Sequence, residues 1–232
     1  MEYLSRLLSR LDHPGVRSLA WSVFSPPIFT ELNGYKHAHF ELTDARHQWL
    51  LDLNRQPKAL NTFMEEHCRS KRLGIVFERL WQFFISADPQ TELIASNLAV
   101  YEQARTLGEF DLIYFCHRRN TPIHLELAVK FYLYTPHQNN HPFSCWLGPD
   151  SRDRLDIKVE RLLQHQLPLA HTPQGRSALA SLGVTEFEQE LTIQGVLFYP
   201  QDAESRASSF QSSRSIQAEQ TADQDSEISS HH

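Results

Sequence analysis

Hydrophobic positions change their spacing twice along the chain. Between Arg72 and Ser86, Leu73, Phe77, Leu80, Trp81 and Phe84 recur every three or four residues, the spacing of one helix face packed on a core. From Glu92 the pattern shifts to strand-like segments. Glu92–Tyr101, Glu109–Cys116 and Ile123–Tyr134 are rich in β-branched, aromatic and leucine residues, and Leu107-Gly108 and Arg118-Arg119-Asn120-Thr121-Pro122 read as turns between them. Helical spacing returns from Arg152 to Gln166, with Asp150 or Ser151 placed to cap its start. A short helix over Ala178–Leu182 closed by Gly183 and a strand over Thr192–Tyr199 complete the order helix, three strands, helix, strand.

The first 71 residues read differently. Tyr3–Leu11 is amphipathic, Ser18–Phe24 runs into Ser25-Pro26-Pro27, and Ala45–Leu53 places Trp49, Leu50 and Leu53 on one face before Pro57. The chain therefore divides into a helical N-terminal extension (1–71), an α/β core (72–200) and a Ser, Gln and acid-rich tail (201–232). The tail buries too little apolar surface to offset the entropy of ordering, so it is expected to be disordered.

Composition refines this picture. With 232 residues and 41% hydrophobic content, one compact core is expected. The net charge of -6 looks unfavourable for a nucleic-acid partner, yet Asp202, Glu204, Glu219, Asp223, Asp225 and Glu227 in the tail face only Arg206 and Arg214. Most of the excess negative charge thus lies outside the core. Cys68, Cys116 and Cys145 are far apart and form no zinc spacing, which suggests a reducing compartment. No charged start followed by an apolar run opens the chain, and no stretch approaches a membrane span, so a cytoplasmic location with no membrane partner is expected.

The candidate chemistry sits on the strands. Glu109 and Asp111 share one face of their strand, and His124, Glu126, Ala128 and Lys130 share one face of the next. If these faces coincide, carboxylates converge beside a lysine. Asp111 and Glu126 would then suit Mg²⁺, which takes a few carboxylate oxygens and keeps waters, and Lys130 would orient a water or offset charge in phosphodiester hydrolysis. The alternative is an ordinary cross-strand pair on a solvated sheet. Apolar Leu125, Leu127, Val129 and Phe131 argue for a partly buried sheet, where uncompensated charge is costly.

Acid on the second strand and acid plus lysine on the third resemble the PD-(D/E)XK phosphodiesterase superfamily. More narrowly, Arg72-Leu73-Gly74 with Phe77-Glu78, Thr106-Leu107-Gly108-Glu109-Phe110-Asp111, Glu126-Leu127-Ala128-Val129-Lys130-Phe131-Tyr132 and Trp146-Leu147-Gly148-Pro149 resemble the uncharacterised bacterial domain-of-unknown-function 1853 family assigned to that superfamily. The resemblance implies a restriction-endonuclease-like core, αβββαβ, with a mixed four-stranded sheet flanked by helices. It also implies Mg²⁺ or Mn²⁺, catalytic Asp111, Glu126 and Lys130, and a supporting Glu78 on the first core helix. The sequence departs from the usual motif at Ala128, where an acid two residues before the lysine belongs. A catalytically inactive fold that binds nucleic acid or a protein partner is therefore the alternative to a nuclease.

Two further features bear on partners. Arg154, Lys158 and Arg161, with His165, fall in one sector of the Arg152–Gln166 helix and would suit a phosphate backbone. A solvated surface balanced by Asp153, Asp156 and Glu160 is the plainer reading. Gln164 and Gln166 follow the stripe, where some related nucleases place a glutamine, but a lone glutamine on a helix has almost no specificity. Trp146 reads as a turn anchored in the core rather than a base-stacking platform.

Overall fold

The computed structural model describes residues 2–136, 143–150 and 152–199; the predicted tail lies outside the described residues. In chain order the elements are α1 (Glu2–Leu8), α2 (Pro14–Phe24), β1 (Glu31–Leu32), β2 (Tyr35–His37), α3 (Asp44–Arg55), α4 (Lys58–His67), α5 (Leu73–Ala87), β3 (Thr91–Glu102), β4 (Arg105–Cys116) and β5 (Thr121–Tyr134). They continue with β6 (Trp146–Leu147), α6 (Leu155–Arg161), a π-helical turn (Leu162–Gln166), α7 (Leu167–Leu169), α8 (Pro173–Ala180) and β7 (Glu188–Phe198).

The sheet is mixed and larger than the four strands expected. Its seven described strands run β1-β2-β7-β5-β4-β3, with β6 paired to β5. The additional members are β1, β2 and β6. The first two come from the segment read as helical, joined by Asn33-Gly34, both with positive φ, the residue pair that favours a tight hairpin turn. β2 lies parallel to β7, pairing Lys36 with Glu190 and His37 with Leu191. β3, β4 and β5 form an antiparallel meander.

By their internal contacts the described residues form two units, those of 2–130 with 161–195, and those of 131–160 with 196–199. In the first, α2 starts on Pro14 with the His13 ring accepting the Val16 N–H at 3.3 Å, and α3 starts on Thr43, whose hydroxyl accepts the Arg46 N–H at 3.3 Å. α5 carries the predicted aromatic face: Trp81 and Phe84 are fully buried and meet Phe40 edge to face at 5.9 and 4.9 Å. A second cluster joins Val100, Phe110 and Ile113 of the sheet to Leu169, Ala170, Leu179 and Val184. Gly195 fits because a Cβ there would lie 1.7 Å from the Lys130 carbonyl oxygen, and its φ of +156° suits glycine.

In the second unit, β5 and β6 pair Leu133 with Leu147 and Tyr134 with Trp146. Trp146 is buried, with the rings of Tyr134 and Tyr199 at 5.3 and 4.9 Å. It therefore anchors the turn, as the sequence suggested.

The helix expected over Arg152–Gln166 is interrupted. It begins at Leu155 and changes at Leu162 to π geometry, in which the Leu167 N–H reaches the Leu162 carbonyl. Pro168 explains the change: it brings no N–H to the helical ladder, so the local bonding must shift register.

Candidate functional site

The β4–β5 ladder runs from Cys116 opposite Thr121 to Leu112 opposite Leu125 and ends there. One more step would set Asp111 opposite Glu126. In place of a ladder bond, the Asp111 Oδ2 accepts the Leu127 N–H at 2.8 Å. A carboxylate thus substitutes for backbone pairing where the strands part, and it brings Asp111 to the segment that carries Glu126. Asp111 is half-buried, whereas His124 and Glu126 are wholly buried.

Both Glu126 oxygens are held. Oε1 is 2.8 Å from His124 Nε2, and Oε2 accepts from Gln166 Nε2 at 2.6 Å. Gln166 belongs to the π turn, whose widened register presents its side chain to the sheet. Burial is the main force that pulls His124 down to about 4; Asp111 works against it and His171 with it. His124 is therefore neutral at pH 7 and brings no positive charge to Glu126. Behind His124, Gln189 Nε2 donates to its Nδ1 at 2.9 Å and to the Leu167 carbonyl at 2.8 Å. Gln189 Oε1 lies 2.6 Å from His171 Nε2.

Residues 17–226 match the family model described as "Domain of unknown function (DUF1853)". The chain belongs to that family. No curated protein and no solved structure matches it.

The other sequence-predicted residues of this DUF1853 chain are placed as follows. Lys130 stands half-buried on β5, four residues beyond Glu126, and Ala128 between them is buried. Glu78 is half-buried on α5, a helix that packs on β3 and β4. Arg154 falls just before α6 and is paired through two hydrogen bonds to Asp156, so a local carboxylate offsets its charge. Lys158 and Arg161 lie on α6, the first half-buried and the second exposed.

The donor set suits a hard cation. Carboxylate oxygens are the ligands Mg²⁺ prefers, and each ionised oxygen has lone pairs beyond the one that a single hydrogen bond uses. Among the described residues, no group of three or more His, Cys, Asp and Glu side chains is arranged to hold a metal. A cation held by Asp111 and Glu126 would therefore keep waters on its remaining positions. In that case His124 and Gln166 would be the partners that orient Glu126.

Sequence reasoning gave Gln166 little weight, placed His124 on the Glu126 face without a role, and passed over Gln189 and His171. His124 had a signal, since it lies two residues before Glu126 on a strand and shares its face. Gln189 and His171 had none, because Gln189 lies 65 residues from His124 and His171 reaches the ring only through Gln189.

Proposed function

We propose that this DUF1853 protein is a nuclease-like phosphodiesterase that uses Asp111 and Glu126 with Mg²⁺ or Mn²⁺ to hydrolyse DNA or RNA. The observation that carries this reading is convergence: Asp111 reaches across the end of the β4–β5 ladder to the backbone beside Glu126, itself fixed by neutral donors. A bound divalent cation supplies a water of lowered pKa and offsets charge on the phosphoryl oxygens. The chain's own contribution is orientation. Neutral His124 and Gln166 hold Glu126 without cancelling its charge, Lys130 offsets charge on the phosphate, and Glu78 supports from α5. Lys158 and Arg161, neighbours on one helix, would meet a phosphate backbone, whereas Arg154 already spends its charge on Asp156.

The test is cleavage of single- and double-stranded DNA and RNA with either metal. The expected result is metal-dependent cutting that falls roughly 100-fold or more in Asp111→Ala and in Lys130→Ala. Equal traces from the wild type and the Asp111→Ala, Lys130→Ala double variant overturn the reading.

A second reading, a nuclease-like fold that binds nucleic acid or a protein partner without cutting, is favoured by two observations. Ala128 occupies the usual acid position, and Glu126 is 0% exposed with both oxygens bonded. Here cleavage is absent, while nucleic-acid binding at low ionic strength weakens steeply as salt rises. No association even at low salt removes the nucleic-acid form of this reading.

A further inference from the structure

We propose that Gln189 is a positioning residue that locks the His124 ring with its proton on Nε2, so that Glu126 is held as an oriented, acceptor-only carboxylate. What the orientation serves rests on the reading of Asp111 and Glu126 as cation ligands. The lock itself follows from donors and acceptors alone.

A glutamine amide has one donating and one accepting end. Gln189 Nε2 lies 2.8 Å from the Leu167 carbonyl oxygen, which can only accept, so the nitrogen must face it. The second hydrogen on that nitrogen then points to His124 Nδ1 at 2.9 Å, and Nδ1 must accept. A neutral imidazole has one donor and one acceptor nitrogen, so the proton is on Nε2 and is donated to Glu126 Oε1 at 2.8 Å.

The outer side gives the same answer. Gln189 Oε1 needs a donor, and His171 Nε2 at 2.6 Å supplies it. His171 Nδ1 is left to accept from Arg176, which can only donate, at 3.5 Å. From Arg176 on α8, through His171, Gln189 and His124, each link donates to the next toward Glu126, and Gln166 donates to its other oxygen at 2.6 Å.

The opposite ring form is excluded locally. It would set an Nδ1–H against the Gln189 N–H and an Nε2 lone pair against the carboxylate, where His124 and Glu126 are both 0% exposed and water cannot intervene. Gln189 comes from β7, His124 and Glu126 from β5, and Leu167 from the segment after the π turn. The ring form is therefore set only once these elements have docked.

The experiment reads the His124 ring nitrogens by two-bond ¹H–¹⁵N correlation in the full ¹⁵N-labelled chain. Wild type is expected in the Nε2–H form; the Nδ1–H form overturns the proposal without any variant being needed. In Gln189→Glu the donor becomes an acceptor, so both ring nitrogens face carboxylates, and His124 is expected to carry a proton on Nδ1 as well as on Nε2. In Gln189→Met no clamp remains, and a mixture of ring forms is expected. Ring-nitrogen shifts unchanged from wild type in both folded variants overturn the lock. Isothermal titration with Mn²⁺ tests the purpose, with affinity expected to drop about 10–100-fold in Gln189→Glu. Wild-type Mn²⁺ binding with unchanged affinity in that variant overturns the orienting role. No Mn²⁺ binding by wild type, with the ring forms behaving as expected, sinks the cation reading and leaves the lock standing.

Discussion

Glu126 is a carboxylate with 0% exposure held between two donors, and that fixes what its removal does. In Glu126→Ala, His124 Nε2–H and Gln166 Nε2–H lose their acceptor inside the protein. Each buried unsatisfied donor costs about 1–3 kcal/mol, so for the two a loss of roughly 2–6 kcal/mol is expected. Urea unfolding measures it, and a loss under about 1 kcal/mol would mean that water replaces the carboxylate. Asp111 is a different case, since it is half-buried where Glu126 is wholly buried, and it caps the Leu127 N–H. Asp111 and Glu126 were legible as candidates because residue type and alternation announce them. The grip on Glu126 was not, because glutamine and histidine declare a role only through their partners.

The connections between elements rest on a few buried contacts. Arg46 of α3 holds Asp88, which follows α5, at 2.6 and 3.2 Å, with side chains 10% and 2% exposed. The same guanidinium donates to the Glu41 carbonyl at 2.7 Å and lies over the Phe40 ring. Asp88→Ala leaves that charge buried and is expected to cost about 3–5 kcal/mol. The Arg46→Met, Asp88→Leu pair should cost clearly less, a comparison that chemical denaturation of both variants decides. Gly195 is the other fixed point. With a Cβ only 1.7 Å from the Lys130 carbonyl, Gly195→Ala must displace β7 from β5, and a loss of about 3 kcal/mol or more is expected in thermal melts. Periodicity found α5, β3, β4, β5 and β7 because each repeats its pattern over 11 residues or more. It missed β1 and β2, which have two and three residues, although Asn33-Gly34 carried the turn signal. The π turn was hidden for a related reason: Leu155, Val159 and Leu162 satisfy helical spacing whichever ladder bonds are made.

Across the whole molecule, pH acts through buried histidine. His37 on β2 is pulled down to about 4, first by burial and then by His39, while its bond with the Leu191 backbone acts the other way; the Thr192 hydroxyl lies 3.2 Å from its Nδ1. In the unfolded chain its pKa returns to about 6.5. Between those values the unfolded state binds more protons, so stability is full above about pH 6.5 and falls as the pH drops toward 4, by at most about 1.4 kcal/mol per unit for this group. Urea midpoints at pH 7 and 4.5 should separate in wild type and move closer in His37→Gln. His124 adds a loss of the same sign, so the variant should remove only part of the separation; an unchanged separation would exclude His37.

The sequence alone determined the long helix, the three strands that follow it and the last strand, along with the residues able to do acid chemistry. Spacing and residue type are local properties, and they act before any element meets another. Only the tertiary structure decided that the sheet has seven described strands, that Asp111 replaces a ladder bond beside Glu126, and that Gln189 and Gln166 reach the same small region. Those outcomes depend on which hydrogen-bonding groups remain unmatched once distant segments pack. Burial makes every unmatched group costly, so the partners are chosen by the assembled fold.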